Sequence, residues 1–287
     1  MIRSPASAVR SASSTSSKAD WSRAIAMFLS VVILGRFTTE THAMALLRQG
    51  PTRRHHLHHS PGRSRFFEAD VELFSHVLAR QTAEGISGDM LEIGTYQGKS
   101  AILMGYGLRD DEELVICDLF EAVLDHTHGS PSSRGQYSGL DQQQFLANWD
   151  RFHTRRPIIE VCESSQLDLG ERALRLAHID GCHAYPCVAH DIELAVRHTA
   201  GRGVVVLDDY RGVETPGVAA AVWQAVGNGV LFPFAATYMK LYACASPADQ
   251  HYWLEQVRGR GDICAFPDFE FPSYRSISEA QLRPLDR

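Results

Sequence analysis

The sequence predicts an α/β fold, in which apolar strands alternate with helices around a mostly parallel sheet. One observation is residues 90–100, where an apolar run, two glycines and a helix-like pattern follow one another directly. Another is a series of apolar runs that each end in a carboxylate, at Asp118, Asp180 and Asp208. Ligands of open α/β sheets bind at the carboxyl ends of the strands, so the fold class also predicts where a site should lie.

Residues 90–100 are typical of a strand, a tight turn and the start of a helix. Glu92 ends the apolar run, and the two glycines are Gly94 and Gly98. Glycine is favoured where the backbone approaches a ligand or takes positive φ, and the start of the next helix offers unpaired N–H groups. The stretch therefore predicts a nucleotide-binding turn, and a purely structural glycine turn is the alternative.

Two chemistries use this layout. A P-loop needs Gly-x-x-x-x-Gly-Lys-Ser/Thr, and Gly98, Lys99 and Ser100 match its end, but one residue is missing between the glycines. The other pattern is an acid, any residue, glycine, three residues and glycine, which Glu92, Gly94 and Gly98 fit in register. It resembles the first loop of class I S-adenosylmethionine methyltransferases. That register is the favoured interpretation, and a P-loop hydrolase stays the alternative.

Composition indicates a globular chain that can bury a sizeable core, with 287 residues of which 44% are apolar and 22% charged. The net charge of −6 is uneven, because residues 1–65 carry ten Lys/Arg against Asp20 and Glu40 and the rest is strongly acidic. An acidic body argues against nucleic acid as the main partner. The six scattered cysteines suit reduced thiols in a cytoplasmic protein better than a disulfide framework.

The chain is predicted to consist of a basic, mostly disordered leader (1–64), one domain (65–270) and a C-terminal tail (271–287). The apolar stretch 24–35 is too short to span a membrane. It suits a docking helix, a signal-peptide core or a segment upstream of the natural start, so export or membrane association through it stays open. The histidines within residues 55–59 suit a solvated linker better than a metal-binding tract.

Hydrophobic periodicity predicts the elements of the domain. Apolar residues at helical spacing predict a core-facing helix over residues 66–78. Further helices are expected after Gly98, over residues 141–152 and around Trp253, and residues 267–287 read as surface tail. Strands are expected at 89–93, 113–118, 157–162, 174–180, 203–207, 237–244 and 262–266. The long polar stretch 121–140 predicts a substrate lid.

Two polar residues at strand ends are candidate cofactor contacts. Asp118 follows the second strand, where doubly wound folds place a carboxylate on ribose hydroxyls; a solvated strand-end acid is the alternative. Ser164 follows the third strand and is a candidate for the adenine edge. An acid on ribose does not separate adenosylmethionine from NAD, because both cofactors carry ribose.

The fourth and fifth predicted strands are followed by Asp180 with His183, and by Asp208 with Asp209. Three carboxylates from two strand ends suit a hard divalent ion such as Mg²⁺, which would hold and acidify a substrate hydroxyl. His183 would then take the proton as general base. Alternatively, the aspartates cap the next helix and His183 is a loop residue. A zinc site is a further alternative, although its residues are irregularly spaced: Cys182, His183, Cys187 and His190.

These motifs together resemble one family. The matching positions are Glu92-x-Gly94-x-x-x-Gly98-x-Ser100, Asp118, Asp180-Gly181-x-His183-x-Tyr185 with Asp191, Asp208-Asp209-Tyr210, and Pro216-Gly217-Val218. Over residues 65–245 the chain is similar to class I methyltransferases, most closely to sugar O-methyltransferases of the macrocin and mycinamicin type. The resemblance implies a Rossmann-like, seven-stranded sheet with helices on both faces, mostly parallel with a C-terminal antiparallel hairpin.

The resemblance also implies roles for individual residues. It implies that S-adenosylmethionine binds at the turn and at Asp118 and that His183 is the general base. It also implies a metal ion at the strand-end acids Asp180, Asp208 and Asp209. The family often has an acid where this chain has Cys182, which removes one charge near the site.

The function predicted from the sequence is methyl transfer from S-adenosylmethionine to a hydroxyl of a small molecule, with Mg²⁺ assisting. A sugar hydroxyl, a phenol and a small acid all remain open as acceptors, and homo-oligomer formation stays open as well. A P-loop-type hydrolase and a non-catalytic nucleoside-binding module are the alternatives from other functional classes.

Overall fold

The structure is a computed structural model that describes residues 68–120, 141–258, 262–266 and 269–273. The strands are β1 (Asp89–Ile93), β2 (Leu114–Cys117), β3 (Ile158–Glu160), β4 (Leu174–Ile179), β5 (Thr199–Leu207), β6 (Phe232–Ala236), β7 (Leu241–Cys244), β8 (Asp262–Phe266) and β9 (Phe269–Ser273). The helices are α1 (Glu68–Ala83), α2 (Lys99–Gly107), α3 (Gln142–Trp149), α4 (Tyr185–His198), α5 (Pro216–Gly227) and α6 (Pro247–Val257).

The strands of the described residues lie in one mixed sheet, in the order β3-β2-β1-β4-β5-β7-β6-β9-β8. The first five of these pair in parallel, and β7 runs antiparallel to both β5 and β6. The predicted Rossmann-like α/β class, with a mostly parallel sheet and a C-terminal antiparallel pair, is confirmed. The sheet has two strands beyond the seven predicted ones, β6 and β9; β9 pairs with β6, and β8 pairs with β9.

The central strand β4 is buried along its whole length. Strands that are covered on both faces read as near-continuous apolar runs, and β4 keeps to this rule except at two positions. Arg175 and His178 are both fully buried, and each is held by hydrogen bonds to groups on neighbouring elements. The two side chains lie towards opposite ends of the strand, so β4 carries one polar network at each edge of the sheet.

The network at the amino-terminal edge is built around Arg175. Its guanidinium donates to Glu112 at 2.9 and 2.8 Å, to the Gln81 side chain at 2.8 Å and to the Gly107 carbonyl at 2.6 Å. Burial alone would raise the pKa of Glu112, but the hydrogen bonds and charges of Arg109 and Arg175 outweigh it and lower that pKa. The pair therefore stays charged and ties β4 to α1 and to the segment that precedes β2.

The strand pairing in the C-terminal part of the sheet differs from the predicted one. The strand β7 pairs with β6, which was not expected from the sequence, while β8 pairs with β9 instead of with residues 237–244. Pro233 lies inside β6, where the register of its pairing with β7 shifts. Because proline within an apolar run argues against a strand, the sequence did not indicate β6. Residues 237–240 form the turn before β7, where the Thr237 N–H donates to the Lys240 carbonyl at 2.8 Å.

Other element boundaries differ in smaller ways. The strand β5 begins at Thr199 instead of residue 203, and β3 covers only Ile158–Glu160. Residues 269–273 were expected in a surface tail but form β9. The leader, the histidine tract, the predicted lid at 121–140 and the end of the tail lie outside the described residues. No helix in the part of the chain that the structure describes has the length and apolar character to cross a membrane.

Candidate active site

The carboxyl ends of four neighbouring strands bring the predicted site residues together. The ends of β1, β2, β4 and β5 are in register, because Ile93 pairs with both Cys117 and Ile179, and Ile179 pairs with Leu207. The residues that follow are therefore neighbours at one edge of the sheet: Gly94, Asp118, Asp180 and Asp208. This register joins the glycine turn and the acids into one candidate site.

Gly94 is the point at which the turn contacts the end of β4. Its φ is +79°, and a Cβ atom there would lie only 2.2 Å from the carbonyl oxygen of Asp180. Gly98 has a φ of +87°, and a Cβ atom there would lie 2.8 Å from the Phe145 ring. A side chain is excluded at both positions, so the spacing of the glycines follows directly from the packing of the turn.

Glu92 supports the turn from behind. Its side chain is fully buried, and its oxygens accept hydrogen bonds from the hydroxyls of Thr95 (2.8 Å) and Ser100 and from Nδ1 of His178 (2.8 Å). The two predicted cofactor contacts Glu92 and Ser100 thus bond to each other and fix the turn. The P-loop interpretation is not supported, because the hydroxyl that would bind Mg²⁺ in a P-loop is engaged by a carboxylate.

Asp118 and Ser164 both follow the carboxyl end of a parallel strand. Asp118 is partly exposed and accepts hydrogen bonds from the backbone N–H groups of Thr95 (2.6 Å) and Tyr96 (3.3 Å), so it helps to hold the glycine turn. Ser164 opens the 3₁₀ turn Ser164–Gln166, which follows β3. Burial raises the pKa of the Asp191 carboxyl of α4. Asp118 therefore lies beside the glycine turn.

The acids after β4 and β5 form a cluster. Burial, together with the nearby carboxylates of Asp208 and Asp209, raises the pKa of Asp180 well above its ordinary value. Asp209 has a φ of +56°, which is unusual for a residue with a side chain, and its carbonyl accepts from Thr215 Oγ1 at 2.9 Å. Thr215 is also the residue before α5, so the predicted alternative in which the aspartates cap this helix is wrong.

His183 points at this cluster. Its Nε2 lies 3.8 Å from Oδ1 of Asp180 and 3.6 Å from Oδ2 of Asp209. That nitrogen is buried and has no hydrogen-bond partner. A buried polar atom without a partner is uncommon and is often explained by a functional role or by a group that binds there. His183 is therefore placed to exchange a proton with a ligand held at the two acids.

Two further residues of the cluster, Lys240 and His178, were given no role from the sequence. Lys240 is fully buried; its ammonium donates to Asp208 and lies 3.2 Å from Nε2 of His178. Burial would lower the pKa of Lys240, but the carboxylates of Asp208, Asp180 and Asp70 outweigh it and raise that pKa. The signal that could have found both residues is a charged or ionisable side chain inside an apolar run, at 174–179 and 239–244.

Two groups of side chains in the described ranges are close enough to hold a metal ion. Their ligand atoms lie within 4.8 Å of one another, and the groups are His178 with Asp180 and Asp208, and Asp180 with His183 and Asp209. In the first group, the Lys240 ammonium already supplies a cation. In the second, the two carboxylates fit a hard divalent ion, which commonly binds through one or two carboxylates together with water. The residues therefore fit a metal at Asp180 and Asp209.

The zinc alternative is not supported. The cysteines whose side chains the structure describes are free (Cys117, Cys162, Cys182, Cys187 and Cys244), and neither metal-compatible group in the described residues contains a cysteine. Burial and the neighbouring Cys182 raise the pKa of Cys187 to about 12, which disfavours the thiolate that zinc requires.

Comparisons with known proteins agree with this geometry. Residues 91–210 match the family described as Methyltransferase domain, and no curated protein sequence matches the chain. The O-methyltransferase NovP is similar with a TM-score of 0.52 and 17% identity, over 62% of this chain and 80% of that chain. CalS11, a TDP-rhamnose 3′-O-methyltransferase, gives a TM-score of 0.45 and 14% identity, over 78% and 93% of the two chains.

The matched segment contains every element that forms the candidate site up to Tyr210, including the glycine turn, Asp118 and the acids after β4 and β5. The likeness to NovP extends the agreement to the fold. Residues 91–210 are therefore similar in sequence to a methyltransferase domain, and the chain has the fold of the O-methyltransferase NovP.

Proposed function

We propose that this chain is a class I S-adenosylmethionine-dependent methyltransferase that transfers the methyl group to a hydroxyl oxygen of a small molecule, with a divalent cation assisting. The observation that carries the proposal is the contact between Gly94 and the backbone of Asp180, because it puts the turn directly beside the acids and His183. Attack on the methyl carbon needs reacting atoms roughly 3–3.5 Å apart and in line. Adjacent sites for donor and acceptor would allow the two atoms to approach in this way.

The proposed binding site for S-adenosylmethionine consists of the glycine turn, the start of α2, Asp118 and Ser164. Gly94 and Gly98 let the backbone approach the cofactor, and the start of α2 offers free N–H groups. Asp118 would accept hydrogen bonds from ribose hydroxyls, and Ser164 lies on the adenine side. Glu92 acts indirectly, by holding the turn through Thr95 and Ser100.

The proposed cation is Mg²⁺, held by Asp180 and Asp209. When bound there, it lowers the pKa of a coordinated hydroxyl and orients it. Asp208, the third ligand predicted from the sequence, is bonded to Lys240 instead. His183 accepts the acceptor's proton, because its partnerless Nε2 faces both acids.

The acceptor class is proposed from the chemistry of the site. An imidazole base beside two carboxylates suits an oxygen nucleophile that must lose a proton, and NovP is named an O-methyltransferase. The resemblance to the macrocin and mycinamicin type favours a sugar hydroxyl of a natural product, and phenols and small acids are the alternatives. The free cysteines suit a reducing compartment such as the cytoplasm.

Calorimetry with S-adenosylmethionine, S-adenosylhomocysteine and ATP tests the donor. Both sulfur nucleosides are expected to bind, and ATP is not. Tight ATP binding without sulfonium binding would overturn the proposal. Mass spectrometry of cell extracts incubated with labelled cofactor then identifies the acceptor. Cofactor binding with no methylated product would favour the non-catalytic module.

Substituting the base tests its role. His183→Ala is expected to lower turnover by about 10²–10⁴-fold while cofactor affinity stays unchanged, because the imidazole faces the acceptor side of the site. His190→Ala, at a half-exposed histidine of α4, is the matched control and should keep full turnover. Equal turnover in both variants would refute the base assignment.

The metal is tested by removal and return. Treatment with EDTA should abolish most of the turnover, and added Mg²⁺ should restore it, because the clustered carboxylates require a counter-charge. Asp209→Asn should make the enzyme insensitive to added Mg²⁺. Full activity of the wild-type chain after EDTA would remove the metal from the proposal.

A further inference from the structure

Lys240 is a fully buried cation that the proposed chemistry does not use. The turn before β7 fixes its position. The Lys240 N–H donates to the Thr237 hydroxyl at 3.0 Å, and the Thr237 N–H donates to the Lys240 carbonyl at 2.8 Å. The Thr237 hydroxyl in turn donates to the buried Asp70 of α1. The position of the ammonium is thus set by both the turn and α1.

The ammonium lies between Asp208 and His178. Since an ammonium group can only donate, Nε2 of His178 must be the acceptor, and its Nδ1 carries the hydrogen. That Nδ1 donates to Glu92 at 2.8 Å. We call these four residues the buried polar chain: Glu92, His178, Lys240 and Asp208. It connects the back of the glycine turn to the acids after β5.

The buried polar chain passes through one of the two metal-compatible groups. The ligand atoms of His178, Asp180 and Asp208 lie within 4.8 Å of one another, which defines an inner cation position. Asp180 and Asp209 form the outer position, where the cation of the proposed function binds. Lys240 contacts two of the three inner side chains, and no other lysine or arginine of the described residues forms an ion pair with Asp208.

We propose that Lys240 is the resident cation of the inner position, where it neutralises Asp208, keeps metal ions out and confines a divalent ion to the outer position. Lys240 acts as a positioning residue, since it touches Asp208 and His178 and not the reacting atoms. The ion at the outer position rests on the proposed function, whereas the assignment of Lys240 to the inner position does not. Metal binding at both positions can be measured without measuring turnover.

The proposal has a direct consequence for metal affinity. Loss of the lysine leaves a buried carboxylate without its counter-charge, which is strongly unfavourable. Two carboxylates and an imidazole nitrogen then offer a site that suits Mn²⁺ and related divalent ions. Lys240→Met keeps the length and apolar part of the side chain, so it removes the charge with little change in packing.

The test is a titration of the full chain with Mn²⁺, in which electron paramagnetic resonance reports the free ion. Lys240→Met is expected to bind Mn²⁺ at least about tenfold more tightly than wild type, because the inner position becomes vacant. Adding Asp208→Asn to this variant should abolish the gain. Binding of S-adenosylhomocysteine by calorimetry verifies that each variant is folded.

If Lys240→Met fails to fold, the single substitution Asp208→Asn still tests the proposal. Asp208→Asn in the wild-type background should change Mn²⁺ affinity by less than about fivefold, because Asp208 is not a metal ligand while Lys240 is present. A larger loss would make Asp208 a ligand and overturn the proposal. A folded Lys240→Met that binds Mn²⁺ no more tightly than wild type would overturn it as well.

Failure of the proposed function gives a different pattern. If wild type and Asp209→Asn bind Mn²⁺ equally weakly while Lys240→Met gains a tight site, the outer ion is refuted and the resident cation stands. If Asp209→Asn loses binding while Lys240→Met shows no gain, the outer ion stands and the resident cation is refuted.

Discussion

Gly94 is the residue at which the glycine turn meets the end of β4. Its positive φ alone would favour glycine, but the contact with Asp180 is the stronger constraint. A side chain would have to displace backbone, which cannot rotate away as a flexible side chain can. The glycine is therefore required by the distance between the turn and the end of β4 and not only by the shape of the turn.

Substitution of Gly94 separates these two effects. Gly94→Ala is expected to weaken S-adenosylhomocysteine binding at least about tenfold and to lower the free energy of unfolding by about 1–3 kcal/mol. Gly85→Ala is the control, since Gly85 also has positive φ (+66°) but a Cβ atom there would have nothing within 4 Å. Calorimetry and chemical denaturation measure both. Equal losses of affinity in the two variants would mean that the contact with Asp180 is unimportant.

Single residues also show what the sequence could and could not predict about the site. Asp118, Asp180, Asp208 and Asp209 were placed at the correct edge, because parallel strands end together and each acid follows an apolar run. The role of Lys240 could not be predicted. Its contact with Asp208 joins residues far apart in the chain, and a lysine between Met239 and Leu241 shows no partner in the sequence.

Among the elements, β4 carries a buried polar network towards each of its ends. Its carboxyl end carries Asp180 at the site, and its amino end carries Arg175 in the network with Glu112. The two partners are 0% and 3% exposed, so the charges are screened little by solvent. Breaking such a pair from one side leaves a buried charge without compensation.

Glu112→Gln is therefore expected to lower the free energy of unfolding by about 3–5 kcal/mol at neutral pH. Glu113→Gln is the matched control: its ion pair with Arg155 is 40% and 39% exposed, so the loss should stay below about 1 kcal/mol. Urea denaturation of both variants measures the difference. Similar losses would show that the Arg175 network does not hold β4.

The same pair gives a pH dependence with a definite sign. Because the folded-state pKa of Glu112 is lowered, its contribution is fully present above the unfolded pKa of about 4.3 and is lost as pH falls through the folded pKa. The stability difference between wild type and Glu112→Gln should therefore shrink below about pH 4. A difference that stays constant down to about pH 2 would contradict the lowered pKa.

Strands with a strong hydrophobic pattern were predicted well, whereas strands that depend on pairing with residues distant in the sequence were not. The strands β1, β2 and β4 are mostly apolar, and their bounds agree with the predictions to within one residue. The strand β6 contains Pro233 and owes its place to pairing with β7. The strand β8 was predicted, but β9 was not, and β9 joins the sheet through one short contact between Ala236 and Ser273, which no local pattern indicates.

For the molecule as a whole, the fold class followed from the order of the elements, whereas the connection between the glycine turn and the strand-end acids did not. The polar chain from Glu92 to Asp208 crosses β1, β4, β5 and the turn before β7. It exists only when the sheet is assembled in this order. The assembled sheet thereby brings the glycine turn and the strand-end acids together at one edge.

A crystal structure of the chain with S-adenosylhomocysteine would decide whether the turn and the acids serve one reaction. We expect the ribose to lie against Asp118 and the sulfur atom to face the space bounded by Asp180, His183 and Asp209. A nucleoside bound at another edge of the sheet, or with its sulfur turned away from these three side chains, would contradict a shared active site.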